Sequence, residues 1–250
     1  MKNQLKKINF NHSFIFFLFC NIFSLTILRF ENLIFSPLSC LLLILSIGVS
    51  HGSLDHIKGK KLLKIFEIKN KYIFYLIYIF IASIVIALWT IIPSVSLTIF
   101  LIFASFHFGK EDTQFLIAEN SYYNQLLFFL KGLLVILGPM FFHFEETISI
   151  FKLLLIDNES FYKTLNFIEM NNLILFGIIL STLSSILLFT KEFELKKFTI
   201  FLDYFSILII NYYLSPLMAF TIYFCFLHST RHGITSVSYT HLTLPTIFRV

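Results

Sequence analysis

The chain has 250 residues, of which 57% are hydrophobic and only 13% charged, and its mean hydropathy is +0.84. That balance excludes an ordinary soluble domain, and several runs reach the ~18–20 apolar residues that cross a bilayer. The net charge of +5 does not point to nucleic acid, because the lysines sit between apolar runs, as membrane topology requires.

The expected fold is all-α, a single polytopic transmembrane helical bundle of about eight spanning helices. In chain order the spans are Phe10–Leu28, Leu33–Ser50, Tyr72–Ile92, Val95–Gly109, Tyr122–His143, Asn172–Thr190, Phe198–Tyr213 and Pro216–Gly233. The N-terminus has the lysines of a signal peptide but no small-residue cleavage site, so an uncleaved first helix is expected. Pro93 and Pro216 fall at hairpin turns, where a missing N–H costs little. Between the fifth and sixth spans, Phe144–Met170 mixes Phe151, Leu154 and Leu155 with Lys152, Asp157 and Glu159. That pattern suits an amphipathic helix along the membrane surface. Cys20, Cys40 and Cys225 all lie in apolar runs without a CxxC pattern, which predicts buried thiols rather than disulfides or covalent haem.

Placing the N-terminus in the cytoplasm puts fourteen Lys and Arg on the inner side, against Arg29, Lys152 and Lys163 outside. This bias predicts a multi-pass protein of the inner (plasma) membrane with a cytoplasmic N-terminus. Val237-Ser238-Tyr239-Thr240-His241-Leu242-Thr243-Leu244-Pro245-Thr246 reads unlike the rest and resembles a translated transposon-end adapter. The expectation is therefore a membrane catalytic domain over 1–236, lacking its true C-terminus, and a non-native tail over 237–250. His241 is set aside with that tail.

Three histidine clusters stand out. His51 lies in Ser50-His51-Gly52-Ser53-Leu54-Asp55-His56, His107 in Ser105-Phe106-His107-Phe108-Gly109, and His228 and His232 in His228-Ser229-Thr230-Arg231-His232. In the expected topology each falls at the inner end of a span running inward, so four imidazoles reach one depth. His228 and His232, four apart, share a helix face and can grip one ion. Imidazole-rich sites suit Fe, Zn, Cu or Ni. A closed structural zinc site favours thiolates, and no cysteine joins these clusters, so a catalytic iron, Fe(2+), with open coordination positions is preferred. Asp55 follows His51 by four and Glu111 follows His107 by four. Such carboxylates accept a ligand's second ring N–H and fix its tautomer, and Asp112 does the same if the chain bends after Gly109. Arg231 accompanies the third cluster. His56 points about 140° from His51 on a helix and is expected behind or beside the ligands. A lone histidine at a helix end is commonly just interfacial, as His12 and His143 are taken to be, and Asp55 and Glu111 also read as solvated loop charges. It is the coincidence of depth that favours a centre, since ionisable groups at membrane depth are costly. Phe103, Phe106, Phe108, Phe224 and Phe226 flank the clusters and suit a tunnel wall, core packing or lipid contact equally. Lys131, within the fifth span, receives no role.

At these residues the chain resembles a known family. His51 to His56 resembles an HGxxDH motif, His107 to Asp112 an HFGxxD motif, and His228 to His232 an HxxRH motif. The set, in this order between about Leu33 and Gly233, is similar to the Brp/Blh β-carotene 15,15′-dioxygenases, polytopic membrane enzymes found beside microbial rhodopsins. The resemblance implies iron held by His51, His107, His228 and His232. It also implies β-carotene and O2 as substrates, cleavage at the central double bond to two retinal, and a functional link to a rhodopsin through retinal. Three alternatives stay open from the residues alone: a membrane di-iron hydroxylase, which needs denser histidine boxes; a b-type haem protein; and a transporter or scaffold.

Overall fold

The structure is a computed structural model and describes residues 2–29, 36–52, 59, 63–68, 70, 72–117, 121–154, 156–191 and 193–235. All regular structure among these is helical. The helices are α1 (Lys2–Arg29), α2 (Pro37–Gly52), α3 (Tyr72–Ile91), α4 (Pro93–Glu111), α5 (Tyr122–Phe142), α6 (Phe144–Leu153), α7 (Glu159–Met170) and α8 (Leu173–Thr190). A 3-10 turn (Leu195–Phe198) then leads into α9 (Thr199–Tyr213) and α10 (Pro216–Ile222), and α10 widens into a π-helical turn, Tyr223–His228.

Helices cover all eight expected segments, but five of the described ones are long and apolar enough to cross a membrane: α1, α3, α4, α5 and α8. Among the described residues, five of the eight expected spans therefore reach that length and composition. α2 has 16 residues and α9 has 15, while the last segment is divided by the π turn into shorter pieces. The expected surface helix over Phe144–Met170 is two helices. Asn158 divides them by capping α7, its side-chain oxygen accepting from the Phe161 N–H at 3.0 Å, the usual device at a helix start.

In lipid, apolar burial between helices gives little driving force, so close van der Waals approach and small residues decide which helices pair. α4 and α5 meet backbone to backbone at Gly109 and Gly132. A Cβ on Gly109 would collide with the Phe128 carbonyl and sit 2.8 Å from the Gly132 nitrogen; one on Gly132 would collide with the Ser105 carbonyl. α5 meets α8 through a second small-residue face, where the Ser181 hydroxyl donates to the Lys131 carbonyl at 3.0 Å. α1 lies along α9, and α2 lies against α10 and the π turn. α3 buries no residue of its own, as befits a lipid-facing helix. Gly109→Ala must push α4 off α5 and is expected to cost ~1–3 kcal/mol, read as a lowered thermal midpoint in detergent. Gly233→Ala, with nothing within 4 Å of the added carbon, should leave that midpoint where it is.

Candidate metal centre

The α4–α5 crossing fixes His107 two residues before Gly109, near the end of its helix. The chain then turns at Asp112, which caps α4 with φ −77° and ψ −4°. The turn sends two carboxylates toward the C-terminal helix. His228 closes the π-helical turn, a feature frequent at functional sites. Its ring is 1% exposed and is gripped on several sides. Nδ1 lies 3.0 Å from Asp112 Oδ1, Phe108 meets it edge-on with centroids 4.8 Å apart, and Phe224 stacks at 6.1 Å. Asp112 is itself buried. Its other oxygen accepts from the Tyr223 hydroxyl at 2.6 Å. Burial works to raise the Asp112 carboxyl, but His228, Arg231 and Lys131 outweigh it and hold the group well below the usual carboxylate range.

A carboxylate on Nδ1 makes that nitrogen the N–H donor and leaves the lone pair on Nε2. His228 Nε2 faces His107 Nε2 at 3.3 Å. Two imidazole nitrogens on one ion, each at ~2.1 Å, stand about 3.0–3.4 Å apart, so the pair fits a shared cation. His232, 5% exposed, has Nδ1 3.3 Å from Glu111 Oε1, and the Gln114 amide donates to the other Glu111 oxygen. His232, Glu111 and Asp112 all lie within electrostatic reach of His107. Among the described residues no group of three or more ligating side chains closes on one point. The described nucleus is the His107–His228 pair with His232 beside it. His51 sits in the last turn of α2, but its side chain, and Asp55 and His56 altogether, lie outside the described residues.

The expected pairing of Glu111 with His107 through helix spacing gains a partner the spacing does not show: Glu111 and Asp112 reach His232 and His228 across a helix boundary. Arg231 lies behind them, 1% exposed. Its guanidinium donates to both Asp203 oxygens at 2.6 and 3.1 Å, to Ser13 Oγ at 2.5 Å and to the Asp112 carbonyl at 3.0 Å. Ser13 in turn donates to Asp203 at 2.7 Å. This network ties α1, α9, the turn after α4 and the C-terminal helix together at one point. Sequence reading missed Ser13, Asp203, Tyr223 and the place of Lys131, which is buried within reach of Asp203 and Asp112. The signal was there for Asp203 and Lys131: a charge inside a span requires a partner. His12 bonds the Phe226 carbonyl at 2.9 Å, and His143 faces Glu146 at 3.7 Å. All three cysteines are buried and free. Of the flanking aromatics, Phe103 and Phe226 are exposed. Phe108 lines an apolar cavity of about 160 Å³ between α4, α5, α6 and α10.

Asp112→Asn keeps an oxygen for one contact but presents an amide N–H to the other, where His228 or Tyr223 already donates. It is expected to weaken metal binding by ~10–100-fold, measured by metal titration of the purified protein.

An imidazole–carboxylate cluster, buried at His228, His232 and Asp112, in a bundle that has five membrane-length apolar helices among the described residues, defines a helical protein of membrane type. The family profile described as beta-carotene 15,15'-dioxygenase matches residues 42–244, and the chain belongs to that family. It is therefore a carotene dioxygenase by family, with a carotenoid and O2 as its substrate class. The match reaches into the segment read above as a non-native tail, whose residues lie outside those described. Comparison with curated proteins and with solved structures returned no match.

Proposed function

We propose that the protein is a non-haem Fe(II) enzyme that cleaves β-carotene at its central double bond with O2, giving two retinal. The observation that carries this reading is the His107–His228 pair, its Nε2 atoms 3.3 Å apart, with Asp112 fixing the ring of His228. His51, His107, His228 and His232 would hold the metal. An imidazole set without thiolates suits iron, which supplies the one-electron chemistry that O2 requires.

The chain's own residues do the rest. Asp112 keeps the proton on His228 Nδ1, and Glu111 orients His232. Asp203 and Arg231 anchor Asp112 through its backbone. Phe108 and Phe224 pack on the His228 ring and surround it with hydrocarbon. A polyene offers no hydrogen-bonding group, so apolar contact must hold it. The lysine distribution supports an inner-membrane location with the N-terminus in the cytoplasm. Retinal as product supports a link to a microbial rhodopsin.

The test is the purified chain, loaded with Fe(II) and given β-carotene and O2. Two retinal for each β-carotene consumed, with no Soret band, is the expected result. Unequal apocarotenals would overturn the central position, and a Soret band would overturn non-haem iron.

A further inference from the structure

The apolar cavity has a near wall and a far wall. The near wall is Phe108 and Phe220, their ring centroids 6.3 Å apart, and Phe108 lies directly against His228. The far wall is α6, which contributes Thr147, Ile150 and Phe151. Along α4 the cavity runs from Phe100 to Phe108, a rise of eight residues or roughly 12 Å of helix. That is the scale of one arm of a carotenoid rather than of the whole molecule.

The far wall is held rigidly. Phe151, Ile148 and Ile156 are buried together with Leu97. The Thr147 hydroxyl donates to the His143 carbonyl at 2.9 Å, and Trp89 Nε1 donates to the Leu154 carbonyl at 3.1 Å. A hydrocarbon chain carries no polar handle by which a site can fix its register. Register along such a chain must come from steric stops, that is, from depth.

We propose that α6 is a chain-length stop: Ile150 and Phe151 limit how far one polyene arm extends from the His107–His228 pair, and so select the double bond that is cleaved. The occupant is a linear, apolar polyene arm. This inference rests on the carotene-cleaving function proposed above. The cavity's place one aromatic ring, Phe108, away from His228, and its nearly all-hydrocarbon lining, carry it.

The test uses Ile150→Phe to shorten the cavity and Phe151→Leu to deepen it, in the full chain. Trp89, the chain's one tryptophan, packs in the same cluster as Phe151 and reports occupancy without metal. Its fluorescence is titrated with a conjugated tetraene ester in metal-free protein, and cleavage products of the iron-loaded protein are separated by chain length. Ile150→Phe should weaken tetraene binding about tenfold and raise KM for β-carotene while kcat on a shorter apocarotenal holds. Phe151→Leu should add unequal apocarotenals to the retinal. If the wild type forms retinal but both variants keep its affinity and product pattern, the stop is refuted and the proposed function stands. If iron-loaded wild type cleaves nothing while Trp89 quenching persists and responds to Ile150→Phe, the proposed function falls and the polyene site remains.

Discussion

Arg231→Met is expected to be the most damaging single change outside the histidines, and to act on folding. The guanidinium makes two hydrogen bonds to Asp203 and one each to Ser13 and the Asp112 carbonyl. Both partners of the ion pair are about 1% exposed. Removing the cation leaves the Asp203 carboxylate buried with Ser13 and the more distant Lys131 as compensation. Breaking one side of a buried pair costs ~3–5 kcal/mol, a large share of the ~5–15 kcal/mol that holds a domain folded. Thermal unfolding in detergent should show a large drop in midpoint, or no folded protein. The double variant Arg231→Met with Asp203→Leu removes both charges and should recover much of the loss, since replacing a buried pair by apolar groups is often neutral. Retinal formation should not recover with it, because the Asp112 backbone has lost its anchor. A midpoint unchanged in Arg231→Met would refute the structural role of the network.

The sequence made the histidines legible because each sits in a short motif at the end of an apolar run. Helix positions were legible for the same reason, since long apolar runs can satisfy their backbone in lipid only as helices. The partners were harder. Spacing along a helix identifies residues that share its face, so Glu111 was paired with His107. It cannot show that the turn at Asp112 carries two carboxylates across to another helix. The π turn over Tyr223–His228 has no local signature either. Asp203 lies in Phe201-Leu202-Asp203-Tyr204-Phe205, an apolar setting in which a carboxylate needs a cation, and Arg231 and Lys131 were the intramembrane cations to consider. The meeting of His107 with the His228–His232 cluster was legible, but which helices touch there was set by Gly109, Gly132 and Ser181, whose small size means little until the helices are packed.

His107→Ala and His228→Ala should each abolish retinal formation, and for distinguishable reasons. Each removes one of the two nitrogens that face each other at 3.3 Å, so iron content should fall with activity. Disturbing a residue that merely orients a ligand costs ~10–100-fold, and losing the ligand itself should exceed that. His107 is the more exposed of the two and stacks on less, so His107→Ala should leave the folded yield near normal. His228→Ala also strips Asp112 of the Nδ1 partner that helps hold it ionised in a buried site, and empties a space walled by Phe108, Tyr223 and Phe224. It should therefore lower the thermal midpoint as well as the iron content. His143→Ala, at the far end of α5, should change neither. Imidazole added back is small enough to fill the space left in His107→Ala, so partial recovery of bound iron in that variant would mark a ligand lost rather than a fold disturbed. Full activity and full iron content in His228→Ala would remove this pair from the metal site, and the cleavage chemistry assigned to it would have to be placed elsewhere in the bundle.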